Sequence, residues 1–416
     1  MRFLNFRRPS WGVGLILSFC VVCIALVTQT GKSSIDREPA AINSYGLSKE
    51  SISSQLGAAI RANTFPTESN FDVDGDETKV KINYALDSVF QAKMQKTMNL
   101  WRPDHAAFVA IDATTGRIIT MVSYERDQVG NNLTLQGTFP AASIFKVVTA
   151  SAAIDSRKAS SDTIVPFNGG SHTLYKRNVN DQSRNRWTRF ITMKDAFARS
   201  INTVFGKLGL FYVGPEKLLD YAEKFRFNRP IRADVPIDVG IVKIAPEDPW
   251  SVVTAASGFT RDNTMSPMHG ALIAAAVVND GVMMEPYLID NLTDQQGNMI
   301  YQAEARQEAK IMAPASAAEL RELMRETVRS GTSRKSFRTV MRKRSMDDVE
   351  MGGKTGSLTG LNPKGKCDWF VGYARFGKHR IAVAALTVNE KKWRVKSSHL
   401  ASEFLSDYVR SIQESE

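Results

Sequence analysis

The chain has 416 residues, 43% hydrophobic and 23% charged, so it is long enough to bury one large core or two ordinary ones. Its formal net charge of +11 suits an anionic membrane surface or an acidic polymer. The basic stretch at 321–344 lacks the interleaved aromatics of a nucleic-acid module, so no nucleic-acid partner is expected. Three cysteines and five scattered histidines form no disulfide framework and no metal-ligand spacing, and the sequence predicts neither a metal site nor another cofactor.

The N-terminal segment is basic and then apolar. Arginines at 2, 7 and 8 precede residues 9–31, which carry no charge and are long enough for a membrane-spanning helix. The arginines predict a cytoplasmic tail at 1–8, a single-pass anchor at 9–31 in the cytoplasmic membrane, and an extracytoplasmic remainder, on the periplasmic or outer face. A cleaved signal peptide is the alternative, but the apolar run is long for one. Residues 32–78 are polar and are interpreted as a tether with a weak helix near 51–62.

A folded domain is predicted from 79 to 416. Strand-like alternation and helical periodicity follow one another along it. The predicted strands are 80–84, 106–112, 117–123, 351–357, 368–373 and 380–388. The predicted helices are 87–98, 140–154, 192–211, 215–225, 249–256, 266–279, 316–330 and 397–412. This order predicts an α+β fold, an α/β/α sandwich with one antiparallel sheet flanked by helices and an all-helical insertion at about 158–310.

The predicted helix at 140–154 carries the first candidate chemistry. Its only charge is Lys146, three residues after Ser143, and this spacing puts hydroxyl and amine on one helical face. A desolvated lysine loses basicity and can accept a proton from a serine hydroxyl. The alternative is a core helix whose lysine reaches out to water.

Two further motifs can complete such a site. Lys354-Thr355-Gly356-Ser357 lies on a predicted strand, where Gly356 lets a ligand approach the backbone. The alternative is an ordinary hairpin turn. A Ser-x-Asn pattern occurs twice, at 183–185 in a polar loop and at 200–202 inside an apolar helical run. Because polar groups in an apolar run need partners, Ser200 and Asn202 are the preferred pair.

The three motifs in this order resemble those of the penicillin-binding transpeptidases, of the monofunctional, class B-like kind. The likeness covers roughly 79–409 and includes the segments at 115–123, 279–287 and 369–373. It implies that the fold is the one these enzymes share with serine β-lactamases. The chain departs from the family pattern in three places. Ala142 stands before the serine where glycine is frequent, and Ser257-Gly-Phe-Thr-Arg261 replaces a Gly-Gln-Gly. Cys367-Asp368 precede Trp369 where a small residue is usual.

The resemblance also implies the roles of the residues. Ser143 would attack the penultimate D-alanine carbonyl of a peptidoglycan stem peptide, with Lys146 as base. Ser200 and Asn202 would relay the proton and hold the substrate amide. Lys354 and Thr355 would bind the carboxylate, Gly356 would leave room for the ligand, and the N–H groups of Ser143 and Ser357 would form the oxyanion hole.

Several partners and alternatives follow from the same resemblance. Stem peptides and β-lactams are the expected ligands, and a glycosyltransferase or other cell-wall synthesis proteins are candidate partners in the membrane. Between the predicted anchor and the domain, 32–78 leaves no room for a glycosyltransferase domain. A D,D-carboxypeptidase, a β-lactamase and a non-catalytic β-lactam-binding protein are the open alternatives. Glu247 is the candidate deacylating residue of the lactamase alternative.

Overall fold

The computed structural model describes residues 43, 45–73, 75–127, 130–180 and 185–416. The predicted tail and anchor at 1–31 lie outside the described residues, and so does Ser183 of the rejected Ser-x-Asn pair. Within the described ranges, no helix combines the length and the apolar character needed to cross a bilayer.

The strands are numbered in chain order. They are β1 (Glu68–Val73), β2 (Asp76–Tyr84), β3 (His105–Asp112), β4 (Ile118–Glu125), β5 (Phe139–Pro140), β6 (Ile164–Phe167), β7 (Arg189–Thr192), β8 (Thr264–Met265), β9 (Val282–Met284), β10 (Ile289–Thr293), β11 (Met299–Gln302), β12 (Gln307–Lys310), β13 (Glu350–Leu361), β14 (Lys364–Phe376) and β15 (His379–Asn389).

The helices are numbered in the same way. They are α1 (Lys49–Arg61), α2 (Ser88–Trp101), α3 (Phe145–Asp155), α4 (Lys176–Asn180), α5 (Met193–Ala198), α6 (Asn202–Lys207), α7 (Pro215–Lys224), α8 (Pro249–Ser257), α9 (Pro267–Val278), α10 (Pro314–Arg329), α11 (Arg334–Phe337) and α12 (Ser397–Ser415). Short 3-10 turns and one π-helical segment, Leu208–Val213, connect some of them.

The centre of the domain is an antiparallel sheet in the order β13-β14-β15-β3-β4. Successive side chains of a strand point to opposite faces, and here both faces are buried. Val109 packs in the cluster that contains α9, whereas Phe108 packs in the cluster that contains Phe404 of α12. Helices therefore cover the sheet on both sides, as the predicted α/β/α layering requires. The predicted hairpin, the three late strands and the terminal helix are confirmed.

The segment at 158–310 is not all-helical, and that part of the prediction is wrong. It contains β6 to β12 as well as the helices α4 to α9. These strands are only two to five residues long, too short for a clear alternation signal. In addition, α9 is buried along its whole length against the central sheet, so it belongs to the sandwich.

The tether predicted at 32–78 is wrong for its described part. Ile52, Leu56 and Ile60 of α1 are fully buried in the main core, because their spacing of four puts them on one face of the helix. The strand β1 pairs with β2 in a second antiparallel sheet, ordered β1-β2-β10-β11. The folded domain thus begins before position 79, and the weak helix expected near 51–62 is a packed element.

Candidate active site

The segment that carries Ser143 begins as a strand and not as a helix. Pro140 pairs with Thr264 in a two-residue ladder, and its carbonyl oxygen accepts the indole N–H of Trp369 at 3.0 Å. Ala142 then has a left-handed backbone, with φ of 49°. A 3-10 turn, Ala142–Ile144, leads into α3. The prediction of one helix over 140–154 is therefore wrong for its first turn, and the sharp bend leaves Ser143 partly exposed at its tip.

Lys146 is fully buried at the start of α3, next to the nucleophile candidate. Its Nζ lies 2.7 Å from Ser143 Oγ, 2.8 Å from Asn202 Oδ1 and 2.5 Å from the carbonyl oxygen of Ser257. Burial, together with the nearby positive charge of Lys354, holds the pKa of Lys146 well below its ordinary value. The surroundings therefore favour the neutral amine.

The three contacts of Lys146 differ in what they can do. The carbonyl of Ser257 can only accept a hydrogen bond. The amide of Asn202 is oriented by its Nδ2, which donates to the carbonyl of His172 at 2.8 Å, so its Oδ1 also accepts. A neutral amine has two N–H groups, and these two acceptors occupy both. The lone pair is then directed at Ser143 Oγ, which is the arrangement for accepting the hydroxyl proton.

The second motif lies at a break between two short helices. Ser200 has a left-handed backbone, with φ of 57°, between α5 and α6. The helix predicted over 192–211 is therefore wrong as a single element. Asn202 opens α6, and its backbone N–H donates to the carbonyl of Ser171 at 2.9 Å. The break turns both polar side chains of the motif toward the buried lysines, which a continuous helix would space differently.

The third motif lies on β13, the edge strand of the central sheet. Lys354 is fully buried, and its Nζ donates to Ser200 Oγ and to the carbonyl of Thr355, each at 2.9 Å. The ring of Phe197 lies 5.4 Å from this nitrogen. Burial lowers the pKa of Lys354 to about 7. Lys354 can therefore change its charge near neutral pH.

Glycine lets the edge strand approach the nucleophile turn closely. A Cβ on Gly356 would lie 3.3 Å from the backbone nitrogen of Ser143. On the other side of that turn, Gly258 has φ of 64°, and a Cβ there would lie 1.9 Å from the carbonyl oxygen of Ala142. Ser143 is thus held between β13 and the end of α8, with two glycines making the contacts possible.

The structure places five of the predicted site residues in one cluster made of two hydrogen-bonded groups. Lys146 bonds Ser143 and Asn202, and Lys354 bonds Ser200. The two groups are close enough for the charge of Lys354 to lower the pKa of Lys146. The remaining three predicted site residues adjoin the cluster along β13: Thr355 is partly buried, Gly356 is buried and Ser357 is exposed. Their roles in binding a carboxylate and an oxyanion stay predictions.

Sequence reasoning missed several groups of the cluster. The carbonyls of His172 and Ser257 are backbone groups, and residue type gives no signal for them. Thr332 was missed as well, and its Oγ1 lies 2.5 Å from that of Thr355.

Comparison with known proteins identifies the family of this chain. Residues 106–409 match the model of the penicillin binding protein transpeptidase domain, and this stretch covers more than half of the chain. The chain belongs to this family. A curated relative, the peptidoglycan D,D-transpeptidase PbpA of Mycolicibacterium smegmatis, is 26% identical over 317 residues, which cover 68% of this chain and 62% of that protein. The chain thus spans less than two thirds of that relative.

Solved structures show the same fold. The D,D-transpeptidase domain of a peptidoglycan glycosyltransferase from Eggerthella lenta superposes with a TM-score of 0.66 at 24% identity, over 80% of this chain and 84% of that one. Penicillin-binding protein A from M. tuberculosis, as an imipenem acyl-enzyme complex, gives a TM-score of 0.63 at 22% identity, with 80% of each chain covered.

Proposed function

We propose that this chain is a serine D,D-transpeptidase that cross-links peptidoglycan stem peptides through an acyl-enzyme on Ser143, and that β-lactams inhibit it by acylating the same atom. The observation that carries the proposal is that Nζ of the buried Lys146 lies 2.7 Å from Ser143 Oγ and also contacts two oxygens that can only accept, Asn202 Oδ1 and the carbonyl of Ser257. In the neutral amine these two acceptors take both N–H groups, which leaves the lone pair for the hydroxyl proton. The family membership and the names of the relatives support the choice of substrate.

In the acylation step, Lys146 takes the proton of Ser143 Oγ as that oxygen attacks the penultimate D-alanine carbonyl. The N–H groups of Ser143 and Ser357 stabilise the oxyanion. The C–N bond then breaks. The leaving amine of the terminal D-alanine receives, through Ser200, the proton that Lys146 took from Ser143, so Lys146 is neutral again. Ser200 Oγ accepts a hydrogen bond from Nζ of Lys354 at 2.9 Å. Lys354 and Thr355 bind the terminal carboxylate.

In the second step, an amine of a neighbouring stem peptide attacks the ester on Ser143, and the neutral Lys146 takes the proton that this amine loses. The ester C–O bond breaks, the new amide forms the cross-link, and Lys146 passes the proton to Ser143 Oγ. A carboxypeptidase would follow the same path with water in place of the amine, so the two activities differ only in the acceptor.

The β-lactamase alternative requires a base that activates water beside the acyl-enzyme. Glu247 is exposed, just before α8, whereas the other end of that nine-residue helix supplies the carbonyl of Ser257 to Lys146. At 1.5 Å per residue, the helix separates the two ends by about 13 Å. Glu247 is therefore too distant for deacylation. A non-catalytic binding protein would not need the fixed acceptors around Lys146.

The proposal includes a place in the cell. A single-pass anchor at 9–31 would hold the domain on the extracytoplasmic side of the cytoplasmic membrane, where peptidoglycan is assembled. A glycosyltransferase or another cell-wall synthesis protein is the proposed neighbour, because newly made strands must be delivered to the transpeptidase.

Labelling with fluorescent penicillin tests the nucleophile. Ser143→Ala should not be labelled, whereas Ser151→Ala should react normally, because Ser151 is a buried serine of the same helix whose Oγ only bonds the carbonyl of Val147. Labelling of the Ser143 variant would overturn the assignment.

Incubation with a pentapeptide donor and an amine acceptor, followed by mass spectrometry, should show a cross-linked product. Tetrapeptide alone would indicate a carboxypeptidase instead.

A further inference from the structure

A surface beside Asn202 combines exposed aromatic rings with positive charge. Tyr175, Trp187 and Phe190 are 52%, 70% and 55% exposed, on the segments around α4 and β7. Large aromatic side chains at such exposure are typical of interaction sites. The segment of β7 is joined to the loop before α4 by Arg189, which donates to the carbonyl of Gly169. The aromatic–basic surface is defined here by the residues Tyr175, Lys176, Arg177, Arg186, Trp187, Arg189 and Phe190.

The charge of the aromatic–basic surface has one sign. Its lysine and three arginines are all exposed. Asp181, outside the described residues, is the only acidic residue between positions 163 and 194. All three guanidinium groups lie over rings. The distances to the ring centres are 5.7 Å from Arg177 to Tyr175, 4.8 Å from Arg186 to Trp187 and 4.2 Å from Arg189 to Phe167. Such stacking orders the cations while their N–H edges stay available for carboxylates.

This surface is connected to the catalytic cluster by short backbone links. The carbonyls of Ser171 and His172 hold the backbone and side-chain amides of Asn202, at 2.9 and 2.8 Å. Tyr175 follows His172 by three residues, so the two backbones lie within about 11 Å. Arg189 donates to the carbonyl of Gly169 in the same loop. A ligand bound here would lie next to the wall that orients Asn202.

We propose that the aromatic–basic surface binds a peptidoglycan strand by stacking its sugar rings on the exposed aromatics and pairing the carboxylates of its stem peptides with the cations. This inference rests on the proposed function, since the substrate is then a polymer that extends beyond the scissile dipeptide. Binding energy from such remote contacts positions the reacting peptide, and a small β-lactam does not use it. A nucleic acid would also suit rings and cations, but its phosphates have no counterpart in the proposed reaction.

The test separates strand binding from chemistry. The full-length chain, purified in detergent and acylated at Ser143 with penicillin, is titrated with soluble peptidoglycan fragments of several disaccharides that carry stem peptides. The double variant Arg186→Gln/Trp187→Ala should bind these fragments at least about tenfold more weakly. Its acylation rate with penicillin should stay within about twofold, which also shows that the site is folded.

The matched control removes one exposed ring and one exposed cation elsewhere. Phe211→Ala/Arg338→Gln should bind the fragments like the unaltered chain, since Phe211 is 53% exposed and Arg338 is exposed outside this surface. Equal binding by the Arg186/Trp187 variant would overturn the inference. Binding of a single-stranded oligonucleotide as tight as that of the fragments would also overturn it, in favour of a general polyanion surface.

The two proposals fail differently. If penicillin does not label Ser143, the proposed function fails, and the fragment titration then uses the unlabelled chain. If labelling is normal but the fragments do not bind, only the surface assignment fails.

Discussion

Two buried lysines stand in the same cleft, and their surroundings differ in a way that assigns their roles. Lys146 faces three oxygens, of which two are fixed acceptors, Asn202 Oδ1 and the carbonyl of Ser257. Lys354 has a hydroxyl that can rotate, that of Ser200, and a carbonyl of its own strand. Within the described part of the chain, burial lowers the pKa of both lysines and no carboxylate offsets it.

The difference shows how one cleft can hold a base and a cation side by side. The fixed acceptors around Lys146, together with its desolvation, favour its neutral form, which supports the proposed role of Lys146 as the base. Lys354, with a pKa near 7, keeps enough positive character to attract a carboxylate. Its charge in turn disfavours protonation of Lys146. The two lysines can therefore divide the work, because Lys146 is held neutral whereas Lys354 can carry a charge near neutral pH.

Replacing Lys146, the proposed base, should have the largest effect on the rate of acylation. Lys146→Met keeps most of the apolar side chain but removes the basic amine, so acylation of Ser143 by penicillin should slow by about 10²-fold or more. Stopped-flow measurement of acylation under saturating β-lactam checks this. Lys207→Met is the control, because Lys207 is another buried lysine, which donates to the carbonyl of Pro166 at 3.0 Å. Near-normal acylation in the Lys146 variant would move the base to Lys354.

Replacing the amide of Asn202 by a carboxylate should remove the preference of Lys146 for its neutral form, which distinguishes it from Lys354. Asn202→Asp places a negative charge next to Nζ of Lys146, which raises the pKa of Lys146 and favours the ammonium form. Acylation at pH 7 should fall by about tenfold or more and recover as the pH rises. The pH–rate profile distinguishes this from a packing defect, which alkaline pH would not repair. Asn279→Asp, outside the cluster, should leave the profile unchanged.

Replacing Lys354 should shift the dependence of the acylation rate on pH without abolishing acylation. In the pH range where Lys354 is protonated, Lys354→Met deletes a positive charge near Lys146, so the pKa of Lys146 rises. The acid limb of the first-order acylation constant should therefore move to higher pH. The constant is measured at saturating β-lactam, so that weaker carboxylate binding does not obscure the shift. An acid limb that stays in place would show that the two lysines do not interact.

The smallest effect concerns stability. Lys354 has a pKa of about 7 in the folded chain, against about 10.4 when unfolded, so the unfolded chain binds more protons between these values. The free energy of unfolding should rise with pH across that window. Lys354→Met removes this contribution, so it should raise the free energy of unfolding by about 3 kcal/mol more at pH 6 than at pH 9, at about 1.4 kcal/mol per pH unit between 7 and 9. Urea titrations at pH 6 and pH 9 measure it, with the exposed Lys158→Met as control. An identical pH slope in both variants would contradict the prediction.

The sheet could be predicted from the sequence because its strands carry a strong pattern. The hairpin of β3 and β4 and the strands β14 and β15 contain apolar runs that include β-branched and aromatic residues, and turn residues bound these runs. The terminal helix has a clear periodicity as well. In contrast, the many polar residues around α1 led to the prediction of a tether. The spacing of the apolar positions 52, 56 and 60 nevertheless indicated a helix with one buried face.

The residues of the site could be predicted, but the way the chain presents them could not. Ala142 and Ser200 both adopt a left-handed backbone, with φ of 49° and 57°. Neither residue type favours that region, so nothing in the sequence marks a bend there. Tertiary contacts impose both bends and override the helical pattern on either side. The hydrogen bonds to the carbonyls of Ser257 and His172 could not be predicted either, because every residue has a backbone carbonyl and residue type does not mark the ones that are used.

The contacts of Lys146 and Lys354 join parts of the chain that are far apart in sequence. The partners of Lys146 lie 3, 56 and 111 positions away, and Ser200 lies 154 positions from Lys354. Contacts of such long range form late, when most of the chain has found its place. Covalent labelling by a β-lactam therefore counts correctly folded molecules: the labelled fraction of a refolding sample gives the yield of native protein, including for variants altered far from the cleft.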